Sequence, residues 1–105
     1  MKTRQIAHYV ALSLALVLLG TGAQAAQSGS RTYAKTCGNC HEYGSMGAPR
    51  YGDASEWRPR LKQGNTTLYQ HAIGGFRSMP ARGGNPGLSD EEVRRAVDHM
   101  VKAIK

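Results

Sequence analysis

The apolar positions of the chain fall into two unlike arrangements. Val10 to Leu19 is an almost unbroken apolar run, interrupted only by Ser13. Beyond it, apolar residues recur on one side of short segments. The clearest of these is the last. Val93, Ala96, Val97, Met100, Val101 and Ile104 stand at spacings of 3, 1, 3, 1 and 3, which is one face of a helix. Ser89-Asp90-Glu91-Glu92 ahead of it reads as a capping box, with acids at the positive end of the helix dipole and Lys102 and Lys105 at the other. Asp53-Ala54-Ser55-Glu56 repeats the pattern and predicts a helix to Gln63, stopped by Gly64, with Pro59 near its first turn. Asn65 or Thr66 caps a short helix over Thr67 to Ile73, ended by Gly74-Gly75. Arg31 to Cys37 reads as a further short helix with Ser30 as its cap. Gly44 to Gly52 and Phe76 to Leu88 are too rich in Gly and Pro to be regular. No segment alternates as a strand does, so the prediction is an all-α domain of short helices and long loops.

The apolar run has its own explanation. Lys2, Arg4 and His8 precede it, and Ala23-Gln24-Ala25 follows with small residues where a signal peptidase reads them. Residues 1–25 therefore read as a cleaved signal peptide and residues 26–105 as the working domain. The run is about half of the roughly 20 apolar residues that a membrane-spanning helix needs, so stable membrane insertion is not expected. Export in a bacterial setting means the periplasm.

Removing the leader changes the arithmetic of the core. The whole chain carries 14 Lys and Arg against 7 Asp and Glu, and the leader holds two of the basic residues, which leaves the remainder at +5. Of the 80 residues after Ala25, 27 belong to the apolar set, and eight of those are Ala; eleven are Gly. A domain this small buries only about 60% of its unfolded surface and is marginal without a staple. The composition implies a chain wrapped around something that is not protein.

Cys37-Gly38-Asn39-Cys40-His41 names the candidate. C-x-x-C-H is the signature of covalent haem attachment. Two sulfurs one helical turn apart reach the two vinyl groups on one porphyrin edge, and the adjoining imidazole is carried beneath the iron. A Cys37–Cys40 disulfide suits a thioredoxin-like βαβ sheet, of which there is no sign. A structural zinc site takes four ligands, and no second cluster is present. For the iron's other side the sequence offers Met46, His71, Met79, His99 and Met100. Met46 is only five residues past His41, Met100 and His99 belong to the last helix, and His71 reads as a surface or partly buried histidine. Met79 lies in an irregular loop before Pro80, 38 residues from His41, enough chain to pass round a ring edge.

With these residues in view, the segment after the leader resembles a class I c-type cytochrome, most closely the short bacterial cytochrome c5-like group. The resemblance rests on Cys37-x-x-Cys40-His41, Gly47-Ala48-Pro49 with Gly52-Asp53, Trp57-Arg58-Pro59-Arg60, Gly75-Phe76-x-x-Met79-Pro80, Gly83-Gly84 and Leu88-Ser89-Asp90-Glu91-Glu92-Val93. It implies a small cytochrome c fold around one haem c, with thioethers from Cys37 and Cys40 and axial ligands His41 and Met79. It implies that the Pro49 carbonyl orients His41, that Trp57 and Arg60 lie near the haem propionates, and that Tyr33 packs across the last helix. Some relatives carry a second cysteine pair before that helix; Gly83 to Leu88 has none.

Such a site makes the chain an electron carrier rather than an enzyme, since an iron with both axial positions filled keeps none open for oxygen or peroxide. A five-coordinate, gas-binding or peroxidatic haem is the reading that Met79 argues against. The partners implied are other redox proteins, met by transient electrostatic docking through Arg58, Arg60, Lys62, Arg77 and Arg82. Nucleic acid is not expected for an exported haem protein. The alternative is a haem-bearing subunit of a respiratory or oxidising enzyme complex.

Overall fold

The computed structural model describes residues 26–104, so the expected signal peptide at 1–25 lies outside the described residues. Ser28, rather than Ser30, opens the first helix. Its hydroxyl oxygen accepts from the Arg31 N–H at 3.2 Å, and α1 runs over Gly29–Thr32. The right-handed path does not stop at Cys37 as the sequence suggested. It continues through a π-helical turn over Tyr33–Cys37 into α2, Gly38–His41, with αR geometry at every junction. The wider π turn lets the Gly38 N–H reach the Tyr33 carbonyl, five residues back.

Helix α3 covers Ala54–Leu61. Asp53 caps it, its carboxylate accepting from the Ser55 and Glu56 N–H groups at 3.0 and 3.3 Å. The predicted capping box is only half made, because Glu56 turns away and accepts from the Arg50 N–H at 3.1 Å. Pro59 lies in the second turn rather than the first, so it removes the bond that residue 59 would donate to the Ser55 carbonyl. Helix α4, Asn65–Gly74, starts at Asn65 rather than Thr67, directly from Gly64 and with no side-chain cap. Helix α5, Asp90–Lys102, has the full capping box: Ser89 Oγ accepts from the Glu92 N–H at 3.1 Å, and Glu92 Oε1 from the Ser89 N–H at 3.0 Å. Short 3-10 turns at Ser45–Gly47 and Ala81–Gly84 shape the loops.

No strand forms among the described residues beyond a single bridge between Phe76 and Met79. None of the described helices is long and apolar enough to cross a membrane.

Helix α5 is the spine of the packing. Its buried stripe is Val93, Ala96, Val97 and Met100. Helix α1 crosses it so closely that a Cβ on Gly29 would lie 2.1 Å from the Arg95 carbonyl oxygen. Helix α4 lies against it elsewhere, tied by the Tyr69 hydroxyl donating to Asp98 at 2.5 Å. The buried side chains divide into two clusters. Leu68, Ala72, Leu88, Val93 and Val97 form one, with Met79 packed on it. Tyr33, Trp57 and Met100 form the other, with Cys37 packed on it.

Candidate functional site

His41 ends α2 and is only 7% exposed. Its Nδ1 lies 2.9 Å from the Pro49 carbonyl oxygen. A carbonyl can only accept, so Nδ1 carries the proton and the lone pair is left on Nε2. Burial lowers the imidazole pKa, outweighing the opposing effect of the Pro49 bond, which favours the neutral, metal-binding form. The loop is built to bring Pro49 there. Gly44 takes φ 78 to turn the chain back after α2, and the Tyr51 N–H returns to the His41 carbonyl at 2.7 Å. Both the backbone and the ring of His41 are thus held by residues 49 to 51. The Trp57 ring stacks beside it, 5.9 Å between centroids.

The sulfurs of Cys37 and Cys40 stand one helical turn apart and half-buried, with no disulfide between them. Among the described residues no group of three His, Cys, Asp or Glu side chains converges on a common point. Cys37, Cys40 and His41 therefore do not form the closed site that structural zinc takes.

Met79 sits in a two-residue hairpin. Phe76 and Met79 exchange both backbone hydrogen bonds at 2.9 Å, with Arg77 at φ 55 between them. The Met79 side chain is half-buried against the Leu68–Val97 cluster, while His41 and Cys37 border the cluster of Tyr33 and Trp57. Imidazole and thioether thus belong to different halves of the core. The other candidates lie elsewhere. Met46 is 75% exposed on a left-handed backbone at φ 54, and Met100 is 3% exposed in the core. His99 is half-buried and packs against Tyr33 and Tyr51, each 5.4 Å away. His71 is partly buried, and its ring lies flat on Phe76 at 3.8 Å.

Trp57 is 4% exposed and spends its one donor on the Arg50 carbonyl at 2.9 Å. Arg60 is half-buried and donates to the Glu56 carbonyl at 2.5 Å. Arg58, Lys62 and Arg77 are exposed. Arg82 departs from the expectation of a free steering charge. It bridges Asp90 at 2.6 Å and donates to the Leu88 carbonyl at 3.0 Å, which ties the 3-10 turn to the start of α5.

One link had no sequence signal. The Tyr33 hydroxyl donates to Glu42 at 2.5 Å, which joins the π turn to the end of α2. A spacing of nine matches no helical neighbour, so only the π turn brings the two together.

The comparisons with known proteins agree with this layout. Residues 24–100 match the family described as cytochrome c oxidase, cbb3-type, subunit III. Cytochrome c-555 of Chlorobaculum tepidum is 44% identical over 84 residues, covering 76% of this chain and 78% of the relative. Cytochrome c5 of Ectopseudomonas mendocina is 36% identical over 77 residues, covering 71% and 88%. A monohaem ferrocytochrome c from Shewanella putrefaciens superposes with a TM-score of 0.65 at 32% identity, over 75% of this chain and 98% of that one. A cytochrome c solved in an electron-transfer complex with nitrite reductase gives 0.69 at 35%, over 76% and 98%. The chain belongs to the cytochrome c family.

It has the small all-α fold of the monohaem cytochromes c and is a small electron carrier of that kind. The cofactor of this cytochrome is one covalent haem c, and Cys37 and Cys40 are its only cysteines. The residues present fit that group. Two thiols stand one turn apart, a buried neutral imidazole keeps Nε2 free, and the core is split into two apolar halves.

Proposed function

We propose that this cytochrome, after loss of residues 1–25, shuttles single electrons between redox partners in the periplasm, with His41 and Met79 as the axial ligands of its haem iron. The observation that carries the reading is the His41–Pro49 hydrogen bond, which fixes the ring's tautomer and leaves Nε2 as the donor. The haem supplies a one-electron ferric–ferrous couple. Cys37 and Cys40 tether it. Pro49 holds the His41 ring at one orientation and raises its basicity. Met79 offers a soft thioether, which favours the reduced state and raises the potential. Trp57 and the two apolar clusters exclude water, and a drier site disfavours the extra charge of the ferric form. With the same ligands in both oxidation states, little has to move when an electron passes.

The exposed Arg58, Lys62 and Arg77 support short-lived docking to acidic surfaces; Arg60 and Arg82 are held by their own chain and contribute less. A relative solved with nitrite reductase shows a family member meeting an enzyme partner. The short lengths of the curated relatives support a free carrier over a fixed subunit of a larger complex. Pro49 is assigned to orientation of the ligand, and Trp57 and Arg60 to the haem surround.

The test is the visible spectrum of the oxidised holoprotein. A sulfur-to-iron charge-transfer band is expected in the natural protein and absent in Met79→Ala. A band that survives the substitution overturns Met79 as ligand.

A further inference from the structure

We propose that His71 is a positioning residue for Met79: its imidazole, laid flat on Phe76, clamps the Met79 hairpin to the end of α4. The inference rests on the reading that Met79 is an axial ligand and deepens it.

The hairpin is weak by itself. It consists of one pair of reciprocal hydrogen bonds, between Phe76 and Met79. A two-stranded hairpin this short is not stable in water without packing. Its first turn residue is Arg77 at φ 55, a left-handed conformation that non-glycine residues adopt sparingly. Pro80, which follows, has no N–H to donate back to the hairpin, and the next turn, closed by the Gly83 N–H on the Pro80 carbonyl at 3.1 Å, is tied through Arg82 to the start of α5. The hairpin's geometry must therefore be held from outside.

Two side-chain contacts do so, one with the core shared by α4 and α5 and one with α4 alone. On the inner side the Met79 side chain packs on the cluster that contains Leu68 and Ala72. On the outer side His71, in the last turn of α4, covers the Phe76 ring. The centroids are 3.8 Å apart and the planes differ by 13°. The link between helix and hairpin is equally short. The Gly75 N–H donates to the His71 carbonyl at 2.9 Å, and Gly75 takes φ 91 and ψ 152, a region open to glycine. A Cβ at Gly75 would lie 3.3 Å from the Met79 carbonyl oxygen and 3.1 Å from the Ala81 nitrogen. His71 thus anchors the hairpin twice, with its carbonyl at the base and its ring over Phe76. The Arg77 guanidinium, 5.0 Å from the centre of the Phe76 ring, adds a cation–π contact to the same residue.

The consequence falls on the oxidised state. A thioether is a soft ligand and grips ferric iron less firmly than ferrous. When the metal bond is weaker, the hairpin's own stability sets how often the sulfur leaves. His71 then governs ligand retention without touching the ligand.

The test uses the oxidised holoprotein and four variants: His71→Leu, His71→Phe, Phe76→Leu and Met79→Ala. Two readouts are taken. One is hydrogen exchange at the Phe76 and Met79 amides, which reports hairpin opening whether or not Met79 binds iron. The other is the rate at which added imidazole abolishes the sulfur-to-iron band. Aromatic stacking of ordinary strength predicts that His71→Leu and Phe76→Leu speed both by about 2- to 12-fold. His71→Phe, which keeps a planar ring on Phe76, restores both to within about twofold of the natural protein, as loss of a titratable group or of general stability would not. Amides in the middle of α5 exchange at the natural rate in the two His71 variants. Unchanged exchange at Phe76 and Met79 in His71→Leu overturns the proposal alone. A band that persists in Met79→Ala overturns the ligation reading, and ligand positioning by His71 with it.

Discussion

Gly29→Ala tests the helix crossing beside which the Tyr33 and Met100 half of the core is packed. The added methyl would lie 2.1 Å from the Arg95 carbonyl oxygen, 2.7 Å from its carbonyl carbon and 3.3 Å from the His99 Cβ. Ordinary van der Waals contact needs more than a further ångström, and the obstacle is helix backbone rather than the end of a flexible side chain. Helices α1 and α5 must therefore part, and Tyr33 and Met100, which share a buried cluster across that junction, part with them. Overpacking of a well-filled core costs about 1–3 kcal/mol, and a backbone obstacle puts this site at the top of that range. At about 4–8 °C per kcal/mol for a domain of this size, the melting temperature should fall by roughly 12–24 °C. The control is Gly74→Ala. Gly74 is also helical, and its added Cβ would meet nothing within 4 Å. Alanine's better helix propensity should leave that variant unchanged or raise its stability by up to about 1 kcal/mol. Thermal unfolding of the two holoproteins, followed by far-ultraviolet circular dichroism, makes the comparison. If both melt within a few degrees of the natural protein, the crossing is looser than these distances require and the reasoning fails.

Two further outcomes are expected. Ser89→Ala removes the hydroxyl that accepts from the Glu92 N–H and should cost about 1 kcal/mol, read as a lower melting temperature; the Ser89 N–H, with the Gln27 N–H, also holds the Glu92 carboxyl below its ordinary value of 4.5, so that contribution is present above pH 4.5 and lost as pH falls below it, and Glu92→Gln should flatten the acid limb of the melting curve against pH. Trp57→Phe takes away the donor to the Arg50 carbonyl and part of a side chain that is 4% exposed, and should cost about 1–3 kcal/mol in thermal unfolding; no loss would mean that the indole bond contributes nothing to the loop that carries Pro49.

Features that depend on residues three or four apart could be read from the chain directly. The α5 stripe, its capping box and the C-x-x-C-H turn are of this kind, because helical periodicity places such neighbours together whatever the rest of the molecule does. Glycine and proline marked the loops for the same reason, through restrictions on their own backbone. The shortage of large apolar residues also pointed to a chain built around a cofactor, since area buried scales with composition.

What depended on the path of a loop or the packing of one helix on another was decided by the fold. Glu56 turns to Arg50 because the loop before α3 brings that N–H within its reach. Arg82 became a brace to Asp90 instead of a free surface charge. Gly29 looked like any other glycine until α5 lay across it, and the stacking partner of His71 was not visible until the chain turned at Gly75 and brought Phe76 back over its ring. The physical reason is the same in each case. Local propensity is set by a few bonds along the chain, whereas a contact that does not fall at helical spacing depends on how the loops turn and the helices pack, and the sequence carries no periodic trace of it.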